Sequence, residues 1–222
     1  MDPNFFISIG HVLTMIGIVI LPVFLLPLLV LVLPRPFEKP GKIVSGAIDR
    51  VTDIAAAVSI GTAICLLGFQ LAVVIAAYAF GLSWTWLSEL VIYSFAATFM
   101  IGACVALRDN AHVRVDILRP RFGEDGRNWI ELAGIYLLLF PICIRILQTG
   151  EQGLARSWLL FEGSRESDGL PFLYLFKTLV PLFAVLMLSQ GLSEALKTAL
   201  RLTGRMPPAD PAAGSEETSY GA

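Results

Sequence analysis

Few residues of this 222-residue chain have types and spacings that could do chemistry. The two histidines are His11 and His112. Haem held between membrane helices needs axial ligands placed within the spans. His112 lies in a polar loop and His11 has no second histidine at membrane depth, which argues against haem. His112 and Asp116 stand four apart, so a helical turn would pair them. A general base or a metal ligand is the sharp reading of that pair; a hydrogen-bonded loop anchor is the plain one, and it ranks first. One His and one Asp are too few for a metal site, and no nucleophile stands near. Cys65, Cys104 and Cys143 each sit in an apolar run without a CxxC neighbour, so they read as small packing residues. No HExxH, GxxxxGK[ST] or GxSxG occurs. No residue is assigned as catalytic, as cofactor-binding or as a metal ligand.

Charges inside apolar runs are the other candidates, because a charge at the bilayer centre costs about 2.5–3.5 kcal/mol on insertion scales. Glu89, Arg145 and Lys177 are of this kind, and all three fall toward the same membrane face. Glu131 and Glu194 fall toward the opposite one. An ion or proton pathway is one reading. Ion pairs and snorkelling that set helix register are the other. The second is preferred, since no charge is forced to the midplane. Glu89 and Lys177 are expected to pair, or to share a polar network.

The elements that must position these residues are apolar. AVILMFWYC make up 56% of the chain and charged residues 15%, against about 25% charged in soluble domains. That much apolar surface needs lipid as its solvent. The net charge of −2 offers nothing to a nucleic acid. Five apolar segments cover 5–33, 54–80, 84–107, 129–149 and 170–192, each long enough to span a bilayer as a helix. None alternates with period two, which disfavours a β-barrel. Pro22 and Pro27 interrupt the first, so it is either a kinked span or a hairpin. It lacks the basic start and small-residue cleavage site of a signal peptide. Pro141 and Pro181 predict bends in the last two helices. The pattern gives an all-α integral membrane protein of about five transmembrane helices.

Loop charge sets the orientation. Arg35, Lys39, Lys42 and Arg50 lie in the 34–53 loop, and Arg108, Arg114, Arg119, Arg121 and Arg127 in the 108–128 loop. Lys197, Arg201 and Arg205 follow the last span, whereas the intervening loops carry only Arg156 and Arg165. The C-terminus is therefore expected in the cytoplasm. Residues 1–42 read as an apolar segment with a basic linker, 43–203 as the membrane domain and 204–222 as a disordered tail. The stretch 154–161 reads either as a helix lying in the interface or as a loop with a Trp anchor. Small residues four apart, Ala57, Gly61 and Cys65, then Thr98, Gly102 and Ala106, would let helix backbones approach closely.

From 48 to 203 the chain resembles the small membrane subunit, DctQ-type, of tripartite ATP-independent periplasmic (TRAP) transporters. The resemblance rests on Tyr78 and Phe80 closing a long helix, Trp86 with Glu89, and a small-residue helix. The loop LRDNAHVRVDIL at 107–118 follows, with its H-x-x-x-D pattern. The last part is ESDGLPFLYLFKTLVPLFAVLMLSQGLSEALK at 166–197, whose GLP turn, Lys177, Pro181, Gln190 and Glu194 resemble the branch labelled for mannitol or chloroaromatic compounds and serving keto acids. Two departures are Ala77, where the family usually has Arg, and Ser88, where an acidic residue often stands. The resemblance implies a four-helix DctQ-type core plus the additional N-terminal segment, in the bacterial inner membrane. It implies a non-catalytic scaffold whose partners are a large TRAP membrane subunit, a periplasmic solute-binding protein and the lipid bilayer. The large subunit would carry the substrate, an organic acid, in secondary, sodium-coupled uptake. Glu89, Lys177, Arg145, His112, Arg114 and Asp116 are then structural or interaction candidates. The competing class is a membrane-anchor subunit of a redox enzyme complex.

Overall fold

The computed structural model describes residues 24–111 and 119–207. The described residues are helical and include no strand. Residues 24–32 are helical (α1) and end at Leu33, and α2 (Pro34–Phe80) starts on a proline; the rest of the 5–33 segment, and with it the choice between kinked span and hairpin, lies outside the described residues. Proline suits a first helical position, where its missing N–H would have no partner. Then come α3 (Thr85–Arg108), α4 (Arg119–Gly134), a π-helical turn (Ile135–Leu139), α5 (Phe140–Leu159) and α6 (Leu173–Leu202). Among the described residues, four stretches are long and apolar enough to cross a bilayer: α2, α3, the continuous helix Asp125–Leu159, and α6. The apolar α1 precedes them.

Helix α2 is 47 residues long, or about 70 Å at 1.5 Å per residue. A hydrocarbon core is only about 30 Å thick. Its charges all fall in 34–53, and 54–80 carries none. The spanning part is therefore the second half, and the first half was expected to be a loop. It is helical because Phe37, Gly41, Val44, Ser45, Ile48 and Thr52 recur at three- and four-residue spacing and turn inward against the core. Helix α1 covers the same start: Val30 Cγ2 and Leu196 Cδ2 would lie 3.5 and 3.6 Å from a Cβ on Gly41. The Tyr136 hydroxyl donates to the Phe24 carbonyl at 2.6 Å.

Gly81 stops α2 in a left-handed conformation, φ 65°, with its N–H on Ala77 O and that of Leu82 on Ala76 O. The chain then turns into α3, which lies against α2. Thr98 and Gly102 do face α2, as small residues should. They meet Ser59 and Thr62, not Ala57, Gly61 or Cys65, which are exposed. The Ser59 Oγ donates to Thr98 O at 3.0 Å, and a Cβ on Gly102 would come within 2.9 Å of the Ser59 Oγ.

Helix α6 is the central element and packs on α2, α3, α4 and α5. From Met187 to Leu200 most residues are buried, including Leu188, Leu192, Ala195, Leu196 and Ala199. Pro181 lies within it. The π turn sits ahead of Pro141, which has no N–H to give, and the Phe140 N–H reaches back to Ile135 O. That wider turn brings Leu139 and Phe140 onto Gly191, where a Cβ would overlap Leu139 Cδ2 and lie 3.2 Å from Phe140 Cε1. Residues 154–159 are neither an interfacial helix nor a loop; they are the last turns of α5. Trp158 there donates to Thr178 Oγ1 at 3.0 Å and packs edge-on against Tyr174.

Candidate functional site

Two polar clusters occupy opposite ends of α6, one around Lys177 and one around Lys197. Those residues are twenty apart on the helix, about 30 Å of rise, which matches the hydrocarbon thickness.

At the first end, α5 ends in a reversal. The Phe161 N–H bonds Trp158 O and the Glu162 N–H bonds Ser157 O, with Phe161 at φ 46°. The reversal places the Glu162 carboxylate against Lys177, and the Ser157 Oγ donates to it at 2.7 Å. The Lys177 ammonium beside it, helped by the Ser157 hydroxyl, holds the Glu162 carboxyl below the usual carboxylate range. The next turn, 164–170, closes through Ser164 N–H to Leu170 O at 2.9 Å. Glu89 of α3 holds that turn from below. It accepts from the Ser164 hydroxyl and, at 2.6 Å, from the Leu170 N–H. Gly169 leaves the needed room, because a Cβ there would collide with Ser164 and approach Glu89 Oε1 to 2.8 Å. One turn further along α3, Tyr93 stacks on Phe176 at 4.5 Å, and its hydroxyl is buried without a hydrogen-bond partner.

Glu89 and Lys177, expected to pair or to share a polar network, make no direct pair with each other in this geometry. Each binds the intervening 157–170 segment, Lys177 through Glu162 and Glu89 through Ser164 and Leu170. The physical reason is reach. The loop supplies a carboxylate and backbone donors closer than the opposing helix can. Arg145 stands apart, exposed on α5, with Gln148 Oε1 at 3.3 Å. His112, Arg114 and Asp116 lie outside the described residues.

Of the second cluster, residue types single out Glu194, as a charge in an apolar run, and only the resemblance adds Gln190; Asp49, Thr52 and Ser193 are marked by neither. Asp49 of α2 accepts from Ser193 Oγ at 2.9 Å and from Lys197 Nζ at 3.0 Å. Lys197 also reaches Glu194 at 2.8 Å. Gln190 takes the Thr52 hydroxyl at 2.6 Å, and its amide faces Asp49 and Glu194, each at 3.4 Å. Gln190 and Ser193 are fully buried and Glu194 is 2% exposed. Around the cluster Arg108 bonds Asp53 at 2.6 Å and the Asp49 carbonyl at 3.4 Å. Below it Arg205 pairs with Glu38. The signal was present in α6: Gln190, Ser193, Glu194 and Lys197 repeat at three and four residues, a polar stripe on an otherwise apolar helix. Its partners were hidden because 34–53 looked like a loop.

Chemically, both clusters satisfy their own charged groups. The carboxylates are occupied by ammonium, hydroxyl, amide or backbone donors. Among the described residues no three His, Cys, Asp or Glu side chains gather as a metal site, and all three cysteines are free. The arrangement can join helices and shape a loop.

Fold and clusters together define a polytopic, all-α membrane protein whose polar groups join its helices. The family model for tripartite ATP-independent periplasmic transporters, DctQ component, matches residues 66–201, and the chain belongs to that family. It is the small membrane component of such a transporter. No curated protein and no solved structure matches it.

Proposed function

We propose that the chain is a non-catalytic scaffold for the large permease subunit. In that reading the large subunit performs secondary, sodium-coupled uptake of an organic acid delivered by a periplasmic binding protein. The observation that carries this is the family match over 66–201. The self-satisfied polar clusters support it, since neither leaves donors converging on a substrate-sized space within the spans. The 166–197 segment supports a substrate of the mannitol, chloroaromatic or keto-acid branch. The Lys and Arg distribution supports a bacterial inner-membrane protein with its C-terminus in the cytoplasm. The Lys197 cluster then lies on the cytoplasmic side and the 157–170 loop on the periplasmic side. Glu89, Lys177, Arg145, His112, Arg114 and Asp116 serve assembly in this reading, the last three by ordering the 107–118 loop against the large subunit.

The test is co-purification beside uptake. Asp116→Ala should reduce recovery of the large subunit in a pull-down, while complexes that do assemble keep near-normal transport in proteoliposomes holding all three components. Full assembly with abolished uptake would place the loop in the transport cycle and refute the scaffold. Reporter fusions at Gly163 and Gly204 should report opposite sides of the membrane; the same side for both defeats the topology.

A further inference from the structure

Arg145 lies deeper in the bundle than its place in the sequence suggests. Phe140 meets Gly191 of α6, where a Cβ on the glycine would stand 3.2 Å from the Phe140 ring. Helix α5 runs antiparallel to α6, with Trp158 on Thr178 further along. Arg145 is five residues from Phe140 toward that end, about 7.5 Å of rise. Gly191 itself is fourteen residues from Lys177 and six from Lys197, about 21 Å and about 9 Å. Arg145 therefore stands about 13 Å from the level of Lys177 and about 17 Å from that of Lys197. That is close to the middle of a hydrocarbon layer about 30 Å thick. An extended arginine reaches about 7 Å from its Cα, so its guanidinium cannot snorkel to either face.

The side chain is exposed on the outer side of α5. Its Nη1 donates to Gln148 Oε1 at 3.3 Å, and no carboxylate of the described residues lies within ion-pair distance. One amide leaves most of the five guanidinium donors unused. The same face stays polar toward the Lys177 end: Gln148, Gln152 and Arg156 follow at three, seven and eleven residues, all exposed. On its other flank Leu138 and Ile142 are exposed, which suits a neighbour of lipid or protein and not a water-filled crevice. Lipid tails offer an arginine nothing at this depth, and a headgroup does not reach it. The missing group is an acid held at the midplane by another protein. A second copy of this chain does not supply one. Its carboxylates within the described spans, Glu89, Glu131 and Glu194, stand near the span ends, and a two-fold contact through this face would bring two arginines together.

We propose that the α5 face bearing Arg145 and Gln148 docks the large permease subunit, which presents a carboxylate at mid-membrane depth to the Arg145 guanidinium. This rests on the scaffold reading and adds the surface and the chemistry through which the scaffold assembles. A planar guanidinium takes a carboxylate through two parallel hydrogen bonds, and Gln152 and Arg156 continue the contact toward the Lys177 end. The placement holds for either orientation of the chain in the membrane.

The full-length chain is co-expressed with the large subunit and recovered by its own tag, as wild type and as Arg145→Met. Recovery of the large subunit should fall by about tenfold or more in Arg145→Met, because the partner's acid is left buried and unpaired. The variant purified alone in micelles should keep its melting temperature, since Arg145 makes no ion pair within the chain. A photoreactive benzoylphenylalanine in place of Gln152 should crosslink to the large subunit. If the wild type recovers no large subunit, the scaffold reading falls and this proposal with it. If the wild type recovers it and Arg145→Met does so equally well, the scaffold stands and the proposed pair is wrong. Crosslinks only to lipid or to a second copy, or a lowered melting temperature in Arg145→Met alone, likewise overturn the proposal.

Discussion

The Lys197 cluster and the Lys177 cluster use similar residues under different solvent conditions. Around Lys197, the ammonium is 13% exposed and its Glu194 partner 3%, and both are enclosed between α2 and α6. Around Lys177, the ammonium and Glu162 are 39% and 31% exposed, and one partner belongs to a loop. In the first, Lys197 and Glu194 have little access to water once a partner is removed, and only Asp49, 29% exposed, keeps some. In the second, water can take the partner's place. The same bond lists therefore carry different costs: a buried pair is expensive to break, although not necessarily stabilising relative to an apolar pair, whereas an exposed one is worth little. One cluster fixes how two helices meet; the other shapes a turn.

The largest expected effect follows from breaking the buried cluster on one side. Lys197→Met leaves Asp49 and Glu194 without their shared cation and should destabilise the folded protein by about 3–5 kcal/mol. Denaturant unfolding in mixed micelles would measure it. A cost below that of Glu89→Ala would remove the contrast between the two ends. Next comes Gly191→Ala, which puts a methyl group onto Leu139 and Phe140 of the π turn. Overpacking of this kind costs about 1–3 kcal/mol, and a smaller side chain in Leu139→Ala should recover part of it. A silent Gly191→Ala would mean that the π turn relaxes freely and is not held by α6.

Smaller effects belong to the loop end. Glu89→Ala orphans the Leu170 N–H and the Ser164 hydroxyl, for a local cost of about 1–2 kcal/mol. Amide exchange at Leu170 should accelerate by about tenfold or more, with global unfolding nearly unchanged. The smallest is a pH effect. Glu162 has a lowered carboxyl pKa in the folded protein. Its contribution is therefore complete above the ordinary carboxylate range of about 4.3 and is lost as pH falls below that range through the lowered value. Protease cleavage in 160–170 should be flat from neutral pH to the top of that range and rise below it, and Glu162→Gln should flatten the rise. A rise already present near neutral pH would show that another group controls the loop.

Much of this was readable from residue order. Apolar length and scarce charge predicted an all-α membrane protein of about five spans, because lipid forces each backbone to satisfy itself locally; four candidate spans stand among the described residues. The motifs at 78–89, 107–118 and 166–197 carried the family. What residue order did not show was which polar groups meet. Residues 34–53 looked like a basic loop because Gly41, Ser45 and Thr52 are poor helix formers beside Arg35, Lys39 and Lys42. Only packing against α6 turns those small residues into an inner helical face, and only that face brings Asp49 to Lys197. Likewise Glu89 and Lys177 were readable as charges that need partners, but the partners came from a loop whose path depends on the reversal at Phe161 and the room at Gly169. Periodicity within one helix is a local property, so the sequence carries it. Pairing between residues some 140 positions apart, such as Asp49 with Ser193 and Lys197, depends on how the helices are rotated against one another, and shape complementarity of the assembled bundle decides that.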